Sequence, residues 1–311
     1  MAEIGYIQVT RECNSKCIMC SNPPTGYHLE FQQAQNEVDA LIQKGCCGVF
    51  LTGGEPTLYD QLPELIKYCL AKGIFPRIIT NGQRIADIQY LKVLQAFGLQ
   101  HLHLSVHSCH DEIQAKITRN KNALHNIKRA LANLQELGGI TTDINVTITK
   151  YNANHLSEIV TWVIDTYDFG NHFVFNNLDP YMNRVVENPD VVPRLNDFEL
   201  ELHQALCILR DYGKTFRVER VPLCYLTDFE HVSTETRKII KKETRVTYFL
   251  DQRGVFSQKE WFYSKGQCCQ VCALTSICSG LYALGKGFNE SELYPVFIRP
   301  ESVIEKVRHE S

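Results

Sequence analysis

Between residues 4 and 178 the chain switches back and forth between two periodicities, and few architectures accept that rhythm. Residues 4–10 alternate as a strand, 30–44 repeat at helical spacing, and GVFLTGGEPT at 48–57 is a β-rich run ending in a Gly-Gly turn. The unit then recurs: helix 60–72, strand 76–82, helix 86–97, strand 101–107, helix 121–137, strand 142–148, helix 154–167 and strand 172–178. Six strands separated by helical crossovers predict a parallel sheet, and their near-continuous apolar runs suit strands covered on both faces. Ligands of such sheets bind at the carboxyl ends of the strands, where the polar motifs of this chain fall.

Residues 181–197, YMNRVVENPDVVPRLND, lose periodicity and hold two prolines, which places a boundary there. A helix at 198–212, a strand-like TFRVERVPLCYL and a Cys-rich tail from 268 follow. The predicted division is a core over 1–180, a linker with helical and strand extension over 181–223, and a Cys-rich region over 224–311. A hydrophobic fraction of 44% excludes disorder, and a net charge of -3 offers no field to gather nucleic acid. The one basic run, RKIIKKETR at 237–245, alternates with Ile and Glu like a solvated helix face. No apolar stretch is long enough to span a bilayer, and MAEIGYIQVT runs into a strand pattern without signal-peptide anatomy, so no membrane partner and a cytoplasmic location are expected.

Thirteen cysteines in a reducing compartment do not read as a disulfide framework, so the clustered ones are read as metal ligands or catalytic groups. Cys46, Cys47, Cys69, Cys109 and Cys207 sit singly among apolar residues and are read as small buried hydrophobes. TRECNSKCIMCSN at 10–22 is different: Cys13, Cys17 and Cys20 can hold three irons of a 4Fe-4S cluster on one short loop and leave the fourth iron open. An open metal position marks a site that binds something exchangeable. Zinc with a distant fourth ligand such as His28 or Cys46 is the competing reading of the spacing. GGEPT at 53–57 ends the second strand, where two glycines permit close backbone approach and the proline fixes the turn.

CNSKCIMC has the CxxxCxxC pattern of the radical S-adenosylmethionine (radical SAM) superfamily, and the chain resembles that family over residues 4 to about 180. The resemblance implies a partial (βα)6 TIM-like barrel in which Cys13, Cys17 and Cys20 ligate the cluster and SAM chelates the open iron. Met19 stands where the family usually has an aromatic beside the adenine. Gly53, Gly54, Glu55 and Pro56 match the motif that receives the SAM amino group. Weaker matches are Asn81 in TNG after the third strand, Ser105 and His107 in SVHS after the fourth, and Asn145 in NVTITKYN at the fifth. The implied chemistry is reductive cleavage of SAM to methionine and a 5′-deoxyadenosyl radical that takes hydrogen from substrate.

CCQVCALTSICSG at 268–280 gives C-x2-C-x5-C from Cys269, Cys272 and Cys278, and Cys224 lies upstream as a candidate fourth ligand. On spacing alone such a site takes zinc or iron–sulfur, and Cys268 beside Cys269 leaves the register open. The tail resembles the SPASM and twitch auxiliary-cluster domains of the family, but lacks the further cysteines of a full SPASM domain, so a single auxiliary 4Fe-4S cluster is expected. Cys13 comes so early that a fused leader-peptide-binding module is not expected. The implied function is an enzyme acting on a peptide or small metabolite, with flavodoxin or ferredoxin as reductant. A molybdenum-cofactor-type cyclase is the second reading, although this chain ends in VRHES rather than Gly-Gly, and a non-enzymatic zinc or iron–sulfur scaffold is the third. Asn176, Asn177, Asp179 and Tyr181 are candidate pocket residues after the sixth strand.

Overall fold

A computed structural model describes residues 3–167, 170–243, 246–248, 255–256 and 263–309 of the protein. The alternation of the sequence becomes one sheet. β1 (Glu3–Thr10), β2 (Cys46–Gly53), β3 (Phe75–Thr80), β4 (His101–Ser105), β5 (Thr141–Thr147) and β6 (His172–Asn176) pair in chain order, all parallel. Their crossovers hold α1 (Phe31–Gln43), α2 (Leu62–Ala71), α3 (Ile88–Ala96), α4 (Asp111–Thr118) with α5 (Ala123–Leu137), and α6 (Leu156–Thr166). This is the α/β architecture of a partial TIM-like barrel.

Three features differ from the sequence reading. After α7 (Asn183–Glu187) and α8 (Leu195–Asp211), β7 (Thr215–Glu219) joins β6 as a seventh parallel strand, so the segment beyond residue 181 continues the sheet. The strands also alternate. Ile7, Val9, Leu102, Leu104, Ile144, Val146, Phe173 and Phe175 are sealed under the helices, while Gln8, His103 and Asp143 point the other way. Tyr6 stacks on Phe50 at 4.9 Å and Phe50 meets His103 edge-on at 4.8 Å, which shows that these rings share the inner face. Thirdly, α4 escapes the sequence reading because DEIQAKIT is short and mostly polar.

On the far side of β1, α9 (Thr234–Lys241) precedes β8 (Val246–Tyr248), which pairs parallel to β1 and carries β9 (Val255–Phe256) antiparallel on its outer edge. α9 takes up the first part of the basic run, whereas Thr244 and Arg245 lie outside the described residues. The tail forms a small hairpin of β10 (Tyr263–Ser264) and β11 (Leu281–Tyr282), followed by α10 (Pro300–His309). The Tyr282 hydroxyl donates to Asp179 at 2.8 Å and ties the hairpin to the loop after β6. Of the scattered cysteines, Cys46 and Cys69 are buried and Cys207 packs against the core, but Cys47 is exposed at a register irregularity near the start of β2, where the pairing with β1 skips it. Among the described residues no helix is long and apolar enough to cross a membrane.

Candidate functional site

The three-cysteine loop leaves the carboxyl end of β1 and is fastened to its neighbours by backbone bonds. Gly54 N–H donates to Thr10 O at 2.7 Å and Glu55 N–H to Glu12 O at 2.7 Å. A Cβ on Gly53 would stand 2.1 Å from Thr10 O, and one on Gly54 2.1 Å from Glu12 O. Real atoms cannot approach so closely, so both positions require glycine, and the partner that comes near is the cysteine loop itself. From the other side Lys16 N–H donates to Thr118 O at 3.0 Å and Ile18 N–H to Ile117 O at 2.9 Å, which fixes the loop on the last turn of α4. Ile18 is buried against Leu178, Val185 and Val191, a contribution of about 1.5–3 kcal/mol for a side chain of this size. Arg184 of α7 closes the third side, with Nη1 donating to Cys17 O at 3.2 Å and its N–H to Cys20 O at 3.4 Å.

Glu55 is fully enclosed. Its Oε1 accepts from Thr80 Oγ1 at 2.6 Å and from Thr57 Oγ1 at 2.7 Å and N–H at 3.2 Å; its Oε2 accepts from Asn81 N–H at 2.7 Å. Burial raises its pKa, and these four donors oppose the rise. The carboxylate therefore joins the ends of β2 and β3. Asn81, so placed, turns its side-chain amide toward Cys13 Sγ at 3.7 Å and donates to Asn14 Oδ1 at 2.7 Å.

The thiols sit in a poorly solvated place. Burial pushes Cys13 up to about 11, with Glu55 and Cys20 adding to the rise, and Cys17 up to about 12, with Cys20 and Cys13 adding. Burial also raises Cys20, opposed by the N–H of Asn22 and by Arg184 and Arg11. Cys17 lies close enough to Cys13 and Cys20 for both to oppose its ionisation, a setting in which a cationic metal group would draw off the protons. The three-donor groups that the described residues gather within 4.8 Å are His101–His103–Asp143 and Cys109–His110–Glu158, and neither cysteine set is among them. Tetrahedral zinc holds sulfur at about 2.3 Å, which sets thiolates about 3.8 Å apart. In each cysteine set at least one pair is farther apart than 4.8 Å, wider than that spacing. His28 spends both ring nitrogens on Thr10 Oγ1 at 2.8 Å and Glu12 Oε1 at 2.9 Å, and Cys46 starts β2 at the opposite pole of the sheet, so neither completes a zinc site.

The remaining candidates line the same rim. Asn176 Nδ2 donates to Asn145 Oδ1 at 2.5 Å across adjacent strand ends. Ser105 ends β4, half-buried. His107 is buried and its pKa falls to about 4. Its Nδ1 accepts from Thr147 N–H at 3.2 Å, so the proton of the neutral ring resides on Nε2. Asn177 and Asp179 serve the scaffold: Asn177 Nδ2 donates to Arg220 O at 3.2 Å, and Asp179 accepts from Tyr181 N–H at 2.8 Å and from Tyr282. Tyr181 is exposed under the Lys286 ammonium, 4.2 Å from its ring centre. The sequence reading missed Arg184 and Arg11, whose relation to the thiols depends on long-range folding and leaves no local pattern.

The second cysteine set comes together at the end of β7. Cys224, in the turn Leu223–Tyr225, lines one small pocket with Cys269, Cys272 and Cys278, among Leu223, Leu274, Leu293 and Tyr294. Cys268 is not part of its wall. Two sulfurs already receive backbone donors, Cys278 from Gly280 N–H at 3.3 Å and Cys272 from Val296 N–H at 3.4 Å. Burial pushes the Cys224 thiol up to about 12.

A sequence model described as the Radical SAM superfamily matches residues 7–163. Fe-coproporphyrin III synthase of Methanosarcina barkeri is 34% identical over 155 residues, 49% of this chain and 38% of the relative. PqqA peptide cyclase of Xanthomonas axonopodis pv. citri is 28% identical over 163 residues, 51% of this chain and 43% of the relative. The chain thus spans less than half the length of these curated relatives. Among solved structures, Streptococcus suis SuiB bound to S-adenosylmethionine superposes with a TM-score of 0.65 at 17% identity, covering 95% of this chain and 76% of that one, a likeness of fold.

Proposed function

The chain belongs to the radical SAM superfamily, whose members use a 4Fe-4S cluster and SAM, and from that premise we propose that it is an enzyme of peptide modification. When bound, the cluster and SAM supply reductive cleavage of a carbon–sulfur bond and the hydrogen-abstracting power that follows from it. Cys13, Cys17 and Cys20 hold the cluster through three sulfurs and leave one iron for SAM. Gly53, Gly54 and Pro56 present backbone groups to SAM, while the Glu55 carboxylate, committed to Thr57, Thr80 and Asn81, keeps that turn in place. Asn81 donates toward the Cys13 sulfur and steadies its charge. Ser105, His107 and Asn145 offer polar groups to SAM or substrate from the inner rim, His107 as a neutral donor through Nε2.

Cys224, Cys269, Cys272 and Cys278 hold a second 4Fe-4S cluster, closed by four thiolates and suited to electron transfer or structure rather than to substrate ligation. In this reading residues 1–180 form the core, 181–223 the extension and 224–311 the auxiliary region. A peptide substrate is supported by the cyclase named among the relatives. The electron donor is a flavodoxin or ferredoxin, and the reaction belongs to the cytoplasm. The observation that carries the proposal is the placing of three half-buried cysteines beside the Gly53–Pro56 turn at one rim of the sheet.

Anaerobic reconstitution followed by iron counting and dithionite-driven SAM cleavage tests it. Wild type is expected to form 5′-deoxyadenosine and Cys17→Ala to form more than about 100-fold less, because a missing ligand releases the metal group. No product from wild type, or equal product from the variant, refutes the reading.

A further inference from the structure

The outer side of the barrel carries a donor set that the function proposed above does not use. Ser108, Cys109 and His110 form the turn between β4 and α4, and Glu158 lies in the first turn of α6. Cys109 Sγ, a ring nitrogen of His110 and a carboxylate oxygen of Glu158 all lie within 4.8 Å of one another, with His110 Nε2 3.0 Å from Glu158 Oε2. The turn is anchored from beneath. Ser108, fully buried, accepts from His110 N–H at 3.0 Å and bonds His155 Nε2 at 2.9 Å, and His155 Nδ1 meets Asn154 Oδ1 at 3.0 Å. The His155 ring packs 5.0 Å from that of His110. The backbone is thereby fixed while the donor tips stay in solvent, the side chains of His110 and Glu158 being 49% and 58% exposed.

We propose that Cys109, His110 and Glu158 form a binding site for a zinc-class divalent cation, with its remaining coordination positions open to water. One sulfur, one imidazole nitrogen and one carboxylate oxygen are the donors that a borderline ion such as zinc accepts together, whereas magnesium and calcium require oxygen alone. Bond lengths of about 2.0–2.3 Å need donors about 3.3–3.7 Å apart, a small readjustment of exposed tips that leaves the anchored turn in place. The surroundings favour a cation: Asp111 and Glu112 fill the first turn of α4 and offset its dipole, and the nearby Lys128 is paired with Asp111 at 3.6 Å.

The inner group of His101, His103 and Asp143 makes the opposite case. His101 Nε2 and His103 Nε2 approach one Asp143 oxygen at 2.7 and 3.2 Å, but Arg77 acts on His103, and Arg77 and Arg217 on the adjacent His172, from the same interior. That group is an internal histidine–aspartate cluster amid guanidinium charge. The outer set is the one suited to a metal, and its occupancy would fasten α4 to α6 while the other end of α4 holds Lys16 and Ile18 of the cysteine loop.

The test uses the full-length protein, anaerobically loaded with iron and sulfide and titrated with zinc against a chromophoric chelator. Wild type is expected to bind one zinc more than Cys109→Ser at equal iron content, with Glu158→Gln weakened by at least about tenfold. Cobalt(II) added to wild type is expected to give a thiolate-to-metal absorption band that Cys109→Ser lacks. Equal zinc stoichiometry and affinity in all three proteins, or no band in wild type, overturns the proposal. Because the readout is a difference between proteins of equal iron content, it stands apart from whether the three-cysteine loop cleaves SAM.

Discussion

The two cysteine sites are assembled by opposite means. Cys13, Cys17 and Cys20 come from one short loop whose surroundings are backbone groups: two glycines, the last turn of α4 and the N-terminal part of α7. Cys224 comes from the end of β7, while Cys269, Cys272 and Cys278 come from the tail, and apolar side chains fill the wall between them. The first site is local in sequence and depends on the fit of neighbouring strand ends. The second is long-range and exists only when the tail docks on the sheet. A local site with three sulfurs can leave a metal position open, whereas a long-range site with four binds two parts of the fold together.

The sharpest way to break this comparison is to remove the long-range ligand. Cys224→Ser is expected to lower iron from about eight to about four per chain while SAM cleavage by the loop site survives. Iron analysis with a 5′-deoxyadenosine assay reads both, and a variant that retains all its iron would show that Cys224 is not a ligand. Next in size is the local fit. Gly54→Ala places a methyl against Glu12 O and is expected to cost on the order of 3 kcal/mol and to impair cluster loading, since the backbone there cannot give way. Gly73→Ala, at φ +78° with nothing within 4 Å, is expected to cost only about 1 kcal/mol. Chemical denaturation compares the two; equal losses would remove the special status of the Gly54 contact.

The remaining effect concerns pH. Burial lowers His103, His107 and His172 to about 4 from an ordinary 6.5. The unfolded chain binds protons through that window and the folded one does not. Stability is therefore complete above about pH 6.5 and declines toward pH 4, by up to roughly 3 kcal/mol for each ring. Hydrogen exchange should show β4–β6 losing protection before the β10–β11 hairpin as the pH falls, and His103→Leu should flatten the dependence. A flat profile in wild type would contradict it.

Much of the barrel is legible in the sequence because helix-facing positions such as Leu102 and Leu104, or Phe173 and Phe175, must be apolar to seal the helices. The inner face is less so. His101, His103 and Asp143 resemble surface residues on paper, yet they pair inside the sheet. TFRVE reads as a strand, but its place beside β6 is hidden because it is short and lies beyond the aperiodic stretch at 181–197. The cysteine spacings stand out because a short loop fixes which sulfurs can meet. By contrast, the partners of Glu55 leave no local pattern. Its oxygens accept from Thr57, Thr80 and Asn81, and that depends on strand register. Cys109 likewise reads as a lone hydrophobe until α6 brings Glu158 beside it.

The bonds from Gly54 to Thr10 and from Glu55 to Glu12 have a consequence for protein engineering. The loop of residues 10–20 is not a portable cassette. Its shape is borrowed from the turn at 53–57, so a graft into another barrel must carry both segments and the spacing between their strands. Recombination that joins one parent's first strand to another's second divides this clasp, and a crossover before residue 3 or beyond residue 81 keeps it whole.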